Sequence, residues 1–268
     1  MNLRGPSVPF RTRSARNGMV CSTDHLASGA GVATLRKGGS AADAAIAASA
    51  VLAVTNQHMC GVGGDLWALV HVPGEPKPFA LNASGHSGSG ADIAGLERDG
   101  LVEMPFHKDP RSIPIPGCVD GWLALHERFG RLPLREVFAD AIDLAIDGFP
   151  ISAECVQATK LLTEIDNTQD YFANGSPQVG QLIRRAKLGE TLRELANDGR
   201  ESFYLGKFGE ELLSFGAGEY TIEDLQTTQA DWVEPLSVQA FGQRIWSLPP
   251  NSQGYLCLSS AWIAGQLN

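Results

Sequence analysis

Residues 38–54 read GGSAADAAIAASAVLAV and are followed, at residues 60–70, by CGVGGDLWALV. The first segment is built mostly of alanine, and a helix with such small side chains lets a neighbouring layer pack close to its backbone. The second segment is a glycine-rich turn that runs into an apolar stretch with strand character. Together they predict a buried helix, a tight loop and a central strand.

The residues around this helix carry clear start and stop signals. Asp24 or Ser28 can cap a preceding helix that runs to about Lys37, where two glycines end it. Ser40 is placed to cap the alanine helix, with Asp43 three residues later completing a capping pair. Two consecutive helices are therefore expected before the glycine-rich turn.

Patterns along the rest of the chain place strands near both ends and helices between them. Further strands are predicted at 19–23, 66–72, 78–82, 236–241 and 243–248. Further helices are predicted at 91–98, 119–129, 134–146, 222–225 and 255–267, and residues 152–211 are mostly helical by pattern. This order predicts a mixed α/β (α+β) protein with layered helices and sheets.

Composition excludes several functional classes. The chain has 268 residues, of which 43% are hydrophobic and 19% charged, as expected of a globular protein. A net charge of −9 argues against nucleic acid as a partner. The apolar stretch Ala44–Val54 is too short to cross a bilayer, and the arginine-containing N-terminus lacks the apolar segment of a secretory signal. We therefore expect a cytoplasmic protein without a membrane partner.

The five cysteines also indicate a reducing compartment. They are widely separated, form no CxxC pair and are odd in number, so they predict free thiols. They are Cys21, Cys60, Cys118, Cys155 and Cys257.

Familiar catalytic motifs are missing from the sequence. The glycines at 61–65 fit neither GxGxxG nor a Walker A loop, and they precede a predicted strand where both motifs need a helix. The histidines form no HxH or HExxH spacing, and no GxSxG turn occurs. We therefore expect no cofactor and no metal ion. The small polar loop at 82–88, which follows a predicted strand, is a candidate binding loop.

A series of short segments between Asn17 and Asn268 occurs in an order known from one family. They lie at 17–20, 26–28, 38–45, 61–65, 114–122, 129–133, 145–149, 221–225 and 249–254. In this order they resemble the large (alpha) subunit of the gamma-glutamyltransferase family. The resemblance implies that residues 17–268 form a large subunit that is incomplete without a small subunit, preceded by an N-terminal arm at 1–16.

The resemblance carries expectations about fold and mechanism. Family members are N-terminal-nucleophile (Ntn) hydrolases with a four-layer αββα sandwich, of which this chain would supply the large-subunit half. Their precursor cleaves itself into two subunits, and the new N-terminal Thr of the small subunit attacks an amide to form an acyl-enzyme. Water or an amine then accepts the acyl group, which makes these proteins hydrolases or acyltransferases.

The nucleophile region of the family does not match this chain. Thr227-Thr228 resembles the Thr pair at the family's cleavage site, but Gln229-Ala230-Asp231 is not the apolar strand expected after it. We interpret this pair as a connection between a helix and a strand. The catalytic Thr is therefore expected on a partner small subunit, in one heterodimer or a dimer of heterodimers.

The predicted substrate site also departs from the family's transpeptidases. Those enzymes grip the glutamyl α-carboxylate with an Arg, whereas the matching position here is Ser84, with Gly85 beside it. Some members carry an Arg at the position of His86, and a neutral His cannot replace a bidentate Arg fork. The loop and the Gly-Gly-Asp sequence at 63–65 resemble a cytoplasmic branch that includes oxamate amidohydrolases.

We therefore predict binding of a γ-glutamyl or related small-acid amide by Ser84, Gly85, His86 and Arg111. No residue of this chain is predicted to be catalytic itself. The alternative is a pseudoenzyme or binding module that lacks the catalytic small subunit.

Overall fold

The computed structural model describes residues 13–105, 109–162, 165, 167–173 and 175–267, so most of the predicted arm at 1–16 lies outside it. The helices are α1 (His25–Arg36), α2 (Ala41–Thr55), α3 (Ile93–Arg98), α4 (Cys118–Phe129), α5 (Leu134–Val137), α6 (Ala139–Asp147), α7 (Ala153–Ala158), α8 (Gln169–Phe172), α9 (Ala186–Asp198), α10 (Arg200–Tyr204), α11 (Lys207–Phe215), α12 (Ile222–Gln226) and α13 (Gly254–Gln266). The strands are β1 (Leu66–Val70), β2 (Phe79–Ala83), β3 (Phe149–Pro150), β4 (Leu182–Ile183), β5 (Asp231–Val233), β6 (Leu236–Ala240) and β7 (Gln243–Ser247).

Both predicted helix starts near the N-terminus are confirmed. The side chain of Asp24 accepts a hydrogen bond from the backbone N–H of Leu26 and so caps α1. At α2, Ser40 and Asp43 form a complete capping box, in which each side chain accepts from the other's backbone N–H. These bonds satisfy backbone donors that a helix start leaves without partners.

The central sheet has three antiparallel strands in the order β1-β2-β5. In its register Leu66 lies opposite Ala83, and Asn82 lies opposite Asp231. The hairpin β6–β7 forms a separate two-stranded sheet that packs against α13. The sheet register therefore brings the end of β2 beside residues about 150 positions later in the chain.

The alanine helix α2 lies in the middle of the packed helices. It contacts α1, α4 and α6, and α4 in turn covers β1 and β2. Trp122 of α4 is fully buried, and its indole N–H donates to the Ser49 hydroxyl at 3.0 Å. A Cβ at Gly121 would lie 2.8 Å from the Cβ of Ala83, so glycine allows α4 to approach β2 this closely.

Several predicted elements differ from the structure. Over 19–23 the described backbone has no strand, and the predicted helix at 134–146 is divided at the buried Phe138. The two-residue strands β3 and β4 and the three-residue strand β5 were not predicted. Such short strands show no periodicity of their own, and pairing with distant residues defines them.

The apolar helix α2 has 15 residues, fewer than a bilayer requires. Throughout the described ranges, no helix is both long enough and apolar enough to span a membrane.

Candidate functional site

A cavity of about 190 Å³ opens where β2 ends and β5 begins. The described residues that line it are Asn82, Ser84, Gly85, His86, Gln229, Asp231 and Asn251. Three of the four predicted site residues, Ser84, Gly85 and His86, are thus brought together. Arg111 lies outside this set of lining residues.

Three larger depressions elsewhere on the described surface are less suited to binding a small polar substrate. A groove of about 370 Å³ between α13 and β6 is lined by apolar side chains and one serine. A depression of about 570 Å³ on α9 and α11 carries exposed, mixed charges typical of a solvated surface. A groove of about 880 Å³ along 17–23 and α2 is lined mainly by small and apolar residues. By contrast, the described lining of the cavity at the end of β2 consists of polar residues and one glycine.

The loop after β2 depends on a glycine. Gly85 has φ +83°, and a Cβ there would lie 1.8 Å from the carbonyl oxygen of Ile115. The backbone N–H of Ile115 donates to the carbonyl of His86 at 2.8 Å. The loop thus packs directly on the segment before α4, and only glycine fits at this point.

Uncharged polar groups form one side of the cavity. The Asn82 amide donates to Oδ1 of Asn251 at 3.0 Å, and the Asn251 amide donates to the Ser84 hydroxyl at 3.0 Å. The backbone N–H of Ser84 donates to Oδ1 of Asn82 at 3.1 Å. Since α13 begins three residues after Asn251, these bonds join the end of β2 to the start of that helix.

His86 forms the opposite side of the cavity. Its Nδ1 lies 3.0 Å from Oε1 of Gln229, and its backbone N–H donates to the same oxygen at 3.0 Å. Its Nε2 lies 3.2 Å from Oδ2 of Asp231, and both of these side chains are about half exposed. Of the described lining residues, His86 is the one that can carry a positive charge.

Groups of the protein interior fix the position of Gln229 on the side away from the cavity. It is 2% exposed, and its amide nitrogen donates to the carbonyls of Asp224 and Thr227 at 3.1 and 2.9 Å. Its backbone N–H donates to Oδ2 of Asp120 at 2.7 Å. Its position is therefore set by contacts on three sides.

Asp120 anchors this network in the interior. It is 4% exposed and accepts from Arg200 at 2.9 and 3.1 Å, while Arg200 also donates to the carbonyl of Thr227 at 2.6 Å. The Tyr204 hydroxyl donates to the carbonyl of Pro116 at 2.6 Å, and burial raises the pKa of Tyr204 above its usual range. Residues 116–120 and 227–229 are thereby tied together.

Residues 227–228 connect α12 to β5, as predicted for the Thr pair. The Thr227 hydroxyl donates to the carbonyl of Glu223, and the Thr228 hydroxyl accepts from the N–H of Ala230. Both hydroxyls are thus used in local turn contacts.

Arg111 is engaged by carboxylates outside the cavity lining. Its guanidinium donates to Asp109 at 2.7–3.2 Å and to Asp99 at 2.6 Å. The side-chain hydrogen bond from Arg111 lowers the pKa of Asp109 below its usual range. The structure therefore does not bring Arg111 to the other three predicted residues.

Sequence reasoning missed Gln229, Asp231, Asn251 and the Asp120–Arg200 pair. Asp120 gave no signal of its burial, because it lies in the first turn of α4 on the same side as Glu127, where an acidic side chain is expected at the surface. The other residues gave none, since the sheet register and the start of α13 bring them to the cavity.

Comparison with solved structures defines the class of fold. The chain superposes on cephalosporin acylase from Bacillus halodurans with a TM-score of 0.84 and 31% identity, covering 97% of this chain and 52% of that one. It superposes on gamma-glutamyltranspeptidase from Helicobacter pylori with a TM-score of 0.83 and 26% identity, covering 91% and 73%. The fold is that of the Ntn-hydrolase sandwich, as predicted, with this chain as its large-subunit half.

Sequence comparison then gives the family. The gamma-glutamyltranspeptidase family model matches residues 27–264, and the chain belongs to that family. It is 37% identical over 250 residues to the glutathione hydrolase-like YwrD proenzyme of Bacillus subtilis, covering 88% of this chain and 46% of the relative. It is 36% identical over 265 residues to the oxamate amidohydrolase proenzyme of Klebsiella pneumoniae, covering 94% and 50%. The chain spans about half the length of these curated relatives, and the predicted family resemblance is confirmed.

Proposed function

We propose that this chain is the large subunit of a self-processing amide hydrolase or acyltransferase whose nucleophile is the N-terminal Thr of a small subunit. The reaction would cleave a γ-glutamyl or related small-acid amide through an acyl-enzyme. The proposal is supported by the family model and by similarity to proenzymes named as hydrolases. The expected setting is cytoplasmic, in one heterodimer or a dimer of heterodimers.

The cavity at the end of β2 is the observation that supports the proposed substrate class, a small amide that bears an acid group. His86 offers a hydrogen-bond donor able to carry charge, and Ser84, Asn82 and Asn251 offer neutral polar groups. A volume of about 190 Å³ is below the range of roughly 300–1,000 Å³ typical of pockets for drug-sized ligands. These features favour the acid end of a small substrate over a large peptide.

The contribution of this chain to the reaction is binding and orientation. In the proposed complex, the cavity holds the acid so that the scissile amide faces the Thr hydroxyl of the small subunit. The Thr α-amine takes the proton of that hydroxyl and gives it to the departing amine as the C–N bond breaks and the acyl ester forms. Water or an amine then attacks the ester, which releases the acyl group and restores the Thr hydroxyl. In this proposal Ser84, Gly85 and His86 bind the acid.

Intact-mass analysis of the complete gene product tests the proposal. We expect two polypeptides that co-purify, the smaller beginning with Thr, and hydrolysis of oxamate or γ-glutamyl-p-nitroanilide. Replacing that Thr with Ala should leave one unprocessed and inactive polypeptide. A single polypeptide with no activity on either compound would instead support the binding-module alternative.

A further inference from the structure

The side-chain amide of Gln229 has only one orientation that satisfies its neighbours. Its nitrogen faces the carbonyl oxygens of Asp224 and Thr227, at 3.1 and 2.9 Å. Rotating the amide by half a turn would place its oxygen against both of these acceptors, with no proton between them. The atom that faces His86 is therefore the oxygen.

This orientation determines where His86 carries a proton. Oε1 of Gln229 can only accept, and it lies 3.0 Å from the Nδ1 atom of His86, so Nδ1 is the donor. The same oxygen accepts from the backbone N–H of His86 at 3.0 Å, which fixes the ring relative to its own main chain. The remaining ring nitrogen, Nε2, then lies toward Asp231.

We propose that Gln229 is a positioning residue that accepts the Nδ1 proton of His86 and so leaves Nε2 as the ring nitrogen that donates to the substrate acid when the ring is charged. In this arrangement Asp231 occupies the place of the acid and competes with it for Nε2. The inference rests on the proposed function for the identity of the ligand, a small carboxylate. The arrangement of the proton is independent of that function.

The charges around the ring are consistent with this role. A carboxylate on Nε2 is bound only when Nε2 also carries a proton, so the acid-binding form of His86 is the imidazolium. Asp231 on β5 faces the ring at 3.2 Å, and the other described lining side chains are uncharged. Behind Gln229, the carboxylate of Asp120 is paired with Arg200. The carboxylate of Asp224 is used by Ser89 and Thr221.

A structural role for Gln229 alone does not explain its contacts. Its nitrogen and its backbone N–H would hold the 224–229 segment without the oxygen. Within the described chain, the oxygen accepts hydrogen bonds from His86 alone. The bond from the His86 backbone N–H serves the structure of the loop, whereas the bond from Nδ1 acts on the ring itself.

The test measures the protonation of His86 directly in the complete, processed protein. In the neutral ring, nitrogen-15 NMR distinguishes a proton on Nδ1 from a proton on Nε2. Titration with acetate, at a pH low enough for the ring to be charged in every variant, reports carboxylate binding without any turnover. Wild-type protein should show a protonated Nδ1. Gln229→Leu should lose this preference and bind acetate about tenfold more weakly, the factor that corresponds to about 1.4 kcal/mol.

Two further variants separate positioning from stability. Gln57→Leu is the matched control, because Gln57 also accepts a hydrogen bond from a distant residue, the Tyr171 hydroxyl, but lies outside the described cavity lining. It should leave the His86 spectrum and acetate affinity unchanged. Asp231→Asn should keep the proton on Nδ1 and tighten acetate binding severalfold, since the competing carboxylate is gone.

Several results would overturn the inference. One is an unprotonated Nδ1 in the wild type, which decides the matter even if Gln229→Leu does not fold. Another is an unchanged spectrum and acetate affinity in a folded Gln229→Leu protein. A third is weaker acetate binding in Asp231→Asn. A protonated Nδ1 with tight acetate binding but no amide hydrolysis would refute the proposed function and leave the positioning role intact.

Discussion

Replacing Gly85 with Ala should disrupt the acid-binding loop more than its backbone angle alone would require. The substitution has two costs. Gly85 has φ +83°, a conformation that costs an L-residue roughly 1–2 kcal/mol. The added Cβ would also lie 1.8 Å from the carbonyl oxygen of Ile115, where ordinary contact needs about twice that distance.

The second cost can be separated with a matched glycine. Gly74, in the turn between β1 and β2, has φ +93° but nothing within 4 Å of the position of its Cβ. Gly74→Ala should therefore lose only about 1–2 kcal/mol. Gly85→Ala adds an overlap with rigid backbone, about 1–3 kcal/mol, and weakens the hydrogen bond from Ile115 to His86, about 0.5–1.5 kcal/mol. Its expected total is about 2.5–6.5 kcal/mol.

Urea unfolding of both variants measures these losses of stability. The unfolding midpoints can be compared when the dependence of the unfolding free energy on urea concentration is the same in both variants. Acetate binding should also weaken in Gly85→Ala and stay unchanged in Gly74→Ala, because only the first lies in the cavity lining. Equal losses of stability in the two variants would refute the argument that close approach to Ile115 requires glycine at 85.

Three other predictions concern the interior, the thiols and the response to acid. Asp120→Asn should destabilise the protein by about 3 kcal/mol in urea, because Arg200 loses its carboxylate partner; an unchanged midpoint would contradict the buried network. Iodoacetamide should alkylate the exposed Cys257 in the native state but not Cys118, whose pKa is raised by burial, and equal labelling by mass spectrometry would be contrary to this. Burial alone would raise the pKa of Asp224, but hydrogen bonds from the backbone and side chains of Ser89 and Thr221 outweigh it and lower this pKa below its usual range. The Asp224 carboxylate therefore stabilises the protein above the unfolded-state pKa of about 4, and this stabilisation is lost as the pH falls. The thermal midpoint of Asp224→Asn should fall less than that of the wild type between about pH 5 and 3, and parallel curves would exclude this.

Features encoded by neighbouring residues were predictable from sequence. The capping box of Ser40 and Asp43 and the β6–β7 hairpin around Gly242 depend on contacts within a few positions. By contrast, β5 has only three residues and begins with an aspartate, and its strand conformation comes from pairing with β2. No local pattern contains that information.

The residues of the candidate site likewise divide into neighbours in sequence, which could be predicted, and distant partners, which could not. Ser84, Gly85 and His86 follow one another in a loop, so a single resemblance located all three. Their partners Gln229 and Asn251 lie more than 140 positions away, and only the folded chain brings them to the cavity. For Arg111 a local signal was available, because an aspartate two residues earlier is well placed to pair with it. Its role in substrate binding stays a prediction.

Whether the cavity at the end of β2 binds the substrate acid is tested by the Michaelis constant of the complete, processed protein after replacing His86 with Ala. We expect KM for an acid-bearing amide to rise at least tenfold, about 1.4 kcal/mol of lost binding, while kcat changes less. His71→Ala, which alters an exposed histidine outside the described cavity lining, is the control and should behave as wild type. An unchanged KM in the His86 variant on every accepted substrate would contradict the assignment of this cavity as the acid site.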